Sequence, residues 1–238
     1  MSILFLQGIP FSNQFWTPII KRLNQQNFDC HTWNFLEVSG DIDSLVIKMQ
    51  EICSQNNITT VVAHGLALPL AWRYCELYQI DNLIISNGLV EKSGLNHMIL
   101  RSINTIPKLI ANQLLRPMIA LPLLASSAAF RRLVINPYVM DYDNIVLLCQ
   151  EQLHNASIRQ NMSQYLSYCD NFAINQKLLV HNLLAIWGDI DPLFPVKQIQ
   201  NMQSPNAIQI KIIEGGAHFH PIERPWAMAD IIATSLQI

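Results

Sequence analysis

Short apolar runs alternate with helically spaced segments along most of this chain, and that alternation limits the fold more than any other feature of the sequence. Ser2–Gln7 (SILFLQ) is apolar and stops at Gly8 and Pro10, which reads as a strand. Phe15–Leu23 has helical spacing and Cys30–Phe35 reads as a second strand. Ser44–Gln55 sets Leu45, Ile47, Met49 and Ile52 among polar residues, as an amphipathic helix does. Thr59–Ala63 (TTVVA) reads as a third strand, Leu66–Tyr78 as a helix and Asn82–Ser86 (NLIIS) as a fourth strand. Leu183–Trp187 and Ile208–Ile213 are the fifth and sixth, and Pro225–Leu236 closes as a helix with proline in its first turn. The apolar runs lack the period-two alternation of a strand with one wet face, so they predict strands buried on both sides. The expected fold class is therefore α/β, a mostly parallel central sheet flanked by helices.

From Val90 to about Gln176 the alternation stops, and the segment is helical in pattern and rich in Leu, Ile and Ala. It reads as a helical insertion, so residues 1–238 are expected to form one domain with its core in 1–89 and 177–238. A chain of 238 residues, 50% hydrophobic and 13% charged, can bury a core without help from disulfides or metal. Cys30, Cys53, Cys75, Cys149 and Cys169 are dispersed with no CxxC spacing, as buried free thiols in a reducing compartment are. No basic segment precedes an apolar one at the start, which implies no signal peptide and a cytoplasmic location. The longest mostly apolar run, Met118–Phe130, is shorter than the about 20 residues that span a bilayer.

In an open parallel sheet, ligands bind beyond the carboxyl ends of the strands. The third strand ends in Ala63-His64-Gly65-Leu66-Ala67 and runs straight into a helix. A strand, a sharp turn and a helix with small residues on both sides is the pattern of a nucleophile elbow, whose central residue projects its side chain over the sheet. Here the centre is Gly65, which has no side chain. The fifth strand is followed by Trp187-Gly188-Asp189-Ile190-Asp191-Pro192, and the sixth by Glu214-Gly215-Gly216-Ala217-His218-Phe219-His220-Pro221. An acid and then a histidine, each just past a strand, follow the order nucleophile, acid, base. The same residues have plainer readings. Asp191 could be a turn former before proline, and Asp189 competes with it as the acid, although spacing favours Asp191. His64 reads as structural, His220 is a less favoured base than His218, and Cys75 reads as core. Ser12 and Ser54 are rejected as substitute nucleophiles because neither sits at an elbow.

Together these segments resemble the α/β-hydrolase family, and the resemblance runs over essentially the whole chain. It implies an α/β-hydrolase fold in which the helical insertion is a lid. The W-G-x-x-D-x-x-x-P segment ending at Pro195 would place the family's acid at Asp191. G-A-H-F-H-P-I-E-R-P would place its catalytic histidine at His218, with Gly65 at the nucleophile position. Leu6-Gln7-Gly8-Ile9-Pro10 is similar to the first oxyanion loop, with Gln7 where the family has histidine. The backbone N–H groups of Ile9 and Leu66 would then form the oxyanion hole. Within the family the chain is similar to esterases that cleave acyl-carrier-protein methyl esters in biotin synthesis. This implies an acyl ester or thioester substrate and no cofactor.

Gly65 leaves three readings open. One is an esterase or thioesterase whose serine has been replaced, by design or in nature, so that no acyl-enzyme can form. Another is a lyase, isomerase, cyclase or decarboxylase in which Asp191 and His218 act as a general base. The third is a binding protein with no chemistry, for which His218 should be packed away from solvent. Partners are hinted at by charge. The net charge is −2, yet the stretch from Ser93 to Met140 holds Arg101, Lys108, Arg116, Arg131 and Arg132 and none of the 17 acids. Arg101, Arg116, Arg131 and Arg132 are candidate substrate-binding residues for an anionic carrier such as acyl-carrier protein, although surface arginines also serve simply to solvate a helix. One basic stretch on a near-neutral chain does not supply a nucleic-acid surface. No metal motif, phosphate loop or dinucleotide fingerprint is present in the sequence.

Overall fold

A computed structural model of the chain describes residues 1–91, 97, 101, 142–174, 178–202 and 206–237. Six strands form one sheet: β1 (Ser2–Leu6), β2 (Asp29–Thr32), β3 (Ile58–His64), β4 (Ile80–Ser86), β5 (Val180–Gly188) and β6 (Ile208–Ile213). Their order is β2-β1-β3-β4-β5-β6 and every pairing is parallel. The most continuous apolar runs occupy the middle, where Ile3, Leu4, Phe5, Leu6, Val61, Val62 and Ala63 have no exposed surface. The edge strands β2 and β6 are the ones that carry exposed or half-buried positions along most of their length.

The described helices are α1 (Thr17–Asn24), α2 (Ile42–Gln55), α3 (Leu68–Leu77), α4 (Tyr142–His154), α5 (Ala156–Asn171), α6 (Val196–Gln200), α7 (His220–Glu223) and α8 (Pro225–Leu236). Local chemistry sets their starts. Asp41 caps α2 by accepting the Ser44 N–H at 2.9 Å, and Pro225 opens α8, where an N–H would have no partner. Right-handed crossovers decide where they lie. The chain steps from β1 outward to β2 through α1, then back across β1 to β3 through α2, and onward to β4 through α3. Opposite directions of travel put α1 on one face and α2 and α3 on the other. The packing agrees, with α8 against α1 and α2 against α3. The reversal falls between β1 and β3, so the crevice of this sheet opens beyond their carboxyl ends, at Gly8 and Gly65.

The strand expected at Cys30–Phe35 is shorter, ending at Thr32. Asn34 turns the chain into a 3-10 segment, Phe35–Glu37, because its buried amide is taken up by Glu37 at 3.0 Å and Gln152 at 3.3 Å. The helix expected at Phe15–Leu23 begins as a 3-10 turn, Asn13–Trp16, before α1. Of the insertion, α4 and α5 are helical as expected. Lys108, Arg116, Arg131 and Arg132 lie outside the described residues, and Arg101 is exposed. Both described helices are tied to the core. Ser12 N–H donates to Leu148 of α4 at 2.7 Å, and Asn161 of α5 donates to the Leu36 carbonyl at 2.8 Å. Among the described residues no helix is long and apolar enough to cross a membrane. All five cysteines are free thiols.

Candidate active site

Gly65 sits at the junction of β3 and a 3-10 turn, Gly65–Ala67, that leads into α3. Its φ is +59°, the left-handed region that any other L residue enters only with strain. This is the elbow conformation the sequence pattern implies. The space above it is open enough for a side chain. A β-carbon built on Gly65 would meet Gly8 Cα at 3.6 Å, His218 Cε1 at 3.7 Å and His218 Nε2 at 3.8 Å, all ordinary contact distances.

A second pair of glycines brings the other two residues together. A β-carbon on Gly188 would fall onto the Gly216 carbonyl, 2.6 Å from its carbon, so the loops after β5 and β6 can touch only because both residues are glycine. Ile190 N–H then donates to the Gly216 carbonyl at 3.1 Å. This contact sets Asp191 against His218, with Asp191 Oδ2 at 2.9 Å from His218 Nδ1. A carboxylate only accepts, so Nδ1 carries the hydrogen and Nε2, facing the elbow, is left with a free lone pair. Asp191 is 3% exposed, and its other oxygen accepts from the Leu193 and Phe194 N–H groups at 2.7 and 3.2 Å. Burial alone would raise its carboxyl. The charge and hydrogen bond of His218, with the hydrogen bonds from Asn87 and the Leu193 N–H, outweigh burial and hold it below its ordinary value.

The structure therefore brings Gly65, Asp191 and His218 to one point. Asp189 is exposed and takes no part. Ile9 follows Gly8, and Leu66 is the first residue past Gly65. Both are half-buried beside the elbow. Ser12 is buried in the loop after β1, whereas Ser54 lies on α2 and receives a bond from Gln50 at 3.1 Å; neither is at the elbow. Arg101 has no described contact with these residues.

Two more histidines pack behind the first. His220 Nδ1 donates to the Ala217 carbonyl at 3.0 Å, so its Nε2 accepts from the Ser86 hydroxyl at 3.3 Å. The Ser86 oxygen in turn accepts from His64 Nδ1 at 3.3 Å. His64 stacks on Phe15 at 4.9 Å and lies 4.7 Å from the His218 ring. Burial, then the neighbouring imidazoles, push His64 well below its ordinary value, and burial pushes His220 down to about 4. Near neutral pH the His64 and His220 rings are therefore uncharged.

Sequence reasoning missed Asn87. It is fully buried after β4, donates to Asp191 Oδ2 at 2.5 Å and accepts the Gly188 N–H at 2.8 Å. The Asn-Gly pair after an apolar strand signals a turn in sequence, but nothing local announces a partner 104 residues away. Among the described residues no three His, Cys, Asp or Glu side chains are grouped to hold a metal ion.

No protein-family model matches the chain, and no curated protein matches it. Solved structures do. MenH from S. aureus is 15% identical with a TM-score of 0.75, covering 100% of this chain and 93% of that one. A thermophilic esterase from Thermogutta terrifontis is 13% identical with a TM-score of 0.70, covering 100% and 89%. An alpha/beta hydrolase fold protein from Burkholderia ambifaria is 15% identical with a TM-score of 0.67, covering 97% and 89%. The chain has the α/β-hydrolase fold, a mostly parallel sheet flanked by helices.

Proposed function

We propose that the chain carries the base and acid of an esterase-type site for a small acyl ester or thioester, with position 65 as the seat of the nucleophile. The observation that carries this reading is His218 Nε2, backed by Asp191 at 2.9 Å and 3.8 Å from where a β-carbon on Gly65 would stand. A hydroxyl one bond beyond that carbon comes within hydrogen-bonding range of Nε2. His218 would take its proton, Asp191 would orient the imidazole and stabilise its charge, and the Ile9 and Leu66 N–H groups would receive the oxyanion. With glycine at 65 the chain forms no acyl-enzyme. Its own turnover then falls to water activated by His218, at least roughly a thousandfold below a serine-bearing form.

The acyl-carrier-protein methyl ester of a short dicarboxylic acid is the first substrate to test, because the resemblance and the basic stretch around Arg101 and Arg116 both favour an anionic carrier. A second reading is a ligand-binding protein, favoured by one observation: the His218 side chain is only 6% exposed. A panel of p-nitrophenyl esters and acyl thioesters separates the two. Gly65→Ser should gain activity that a further His218→Ala removes. A folded Gly65→Ser protein inert on every ester and thioester would favour the binding reading.

A further inference from the structure

We infer that Asn87 is a positioning residue that holds the nucleophile seat in register with the acid; this rests on the reading of Gly65, Asp191 and His218 given above. Three hydrogen bonds of this one residue span three segments. Its carbonyl accepts the Gly65 N–H at 3.1 Å, its side-chain oxygen accepts the Gly188 N–H at 2.8 Å, and its amide donates to Asp191 Oδ2 at 2.5 Å. The last oxygen is the one His218 Nδ1 reaches, so Asn87 and His218 hold the same carboxylate atom from two sides. Both ends of the amide are used, which fixes its orientation: the oxygen must face the Gly188 N–H and the NH2 must face the carboxylate.

The backbone points the same way. Asn87 has a φ of 34°, a positive value that asparagine tolerates better than most residues and glycine better still. Strain of this kind persists where surrounding bonds enforce it. The elbow backbone and the acid would otherwise be set by separate loops after β3 and β5. Through Asn87 a shift of either one is carried to the other.

The test uses Asn87→Gly, which keeps the positive φ and the carbonyl bond to Gly65 while removing the amide, and Asn87→Asp, which keeps the shape but sets a second carboxylate against Asp191. Two readouts are taken. In the chain as written, NMR follows the His218 Nδ1–H proton. In the Gly65→Ser background, kcat and KM are measured on an ester. Asn87→Gly should broaden or abolish the His218 signal and lower kcat about ten- to a hundredfold, with KM little changed. Asn87→Asp should add an ionisation to the acid limb of the pH profile, because two adjoining carboxylates share a proton. An unchanged His218 signal with unchanged kcat in folded Asn87→Gly would overturn the inference. If Gly65→Ser shows no turnover at all, the esterase reading fails, and the NMR arm still decides the role of Asn87.

Discussion

A β-carbon on Gly65 would stand 3.8 Å from His218 Nε2, and the Gly65 backbone already holds the +59° φ of an elbow. Glycine thus occupies a position whose φ favours glycine but which has room for a side chain. His218 faces it, Asp191 hydrogen-bonds His218 from behind, and the nearest backbone, at Gly8, stands off at contact distance.

That geometry sets the stability of substitutions at 65. Gly65→Ala and Gly65→Ser meet no clash and incur only the strain of positive φ, about 1–2 kcal/mol. Chemical denaturation should show a loss of that size with an unchanged m-value.

Gly188→Ala should behave very differently. Its β-carbon meets backbone, 2.6 Å from Gly216 C and 2.9 Å from Ala217 O, and no flexible side chain is there to give way. The loss should exceed that of Gly65→Ala, reaching about 3 kcal/mol or more. In a Gly65→Ser background, activity should fall further than stability explains, because the loops bearing Asp191 and His218 are forced apart.

How much of this was legible in the sequence depends on what each residue depends on. The sixth strand and last helix, Ile208–Ile213 and Pro225–Leu236, have the expected limits because apolar runs and a leading proline are local signals. The second strand is shorter than its apolar pattern predicts, although Phe35 has the chemistry of a strand residue. What ends the strand is Asn34, whose partner Gln152 lies 118 residues on. Two acids follow the fifth strand, and the one that meets His218 is Asp191, at 2.9 Å. Asn87 was invisible for the same reason as Asn34: its role is a set of distant bonds. The arginines from Arg116 onward were legible as charge alone, since charge does not say what a residue faces.

Acid should destabilise the fold in a defined window. His220 is held down to about 4 and His64 well below 6.5, so the unfolded chain binds more protons there. Stability is full above about 6.5 and is lost as pH falls toward 4, by up to about 1.4 kcal/mol per pH unit for each group. Asp191, whose carboxyl is also depressed, contributes stability above 3.8 that is lost at still lower pH. Equilibrium unfolding of His220→Gln should show a shallower slope between pH 6.5 and 4, and an unchanged slope would count against the buried-imidazole account.

Tyr165 braces the elbow from the insertion. Its hydroxyl donates to the Leu66 carbonyl at 2.9 Å and accepts the Leu70 N–H at 3.1 Å, inside the protein. Tyr165→Phe leaves both groups without that partner and should cost about 1–3 kcal/mol. A thermal melt compared with the parent measures it.

The most direct measurement is covalent labelling of the Gly65→Ser protein by a fluorophosphonate, followed by intact mass and peptide mapping. One adduct per chain is expected at position 65, absent from the chain as written and lost on adding His218→Ala. A folded Gly65→Ser protein that takes up no label, or takes it up equally without His218, would contradict the claim that this elbow is a nucleophile seat served by His218.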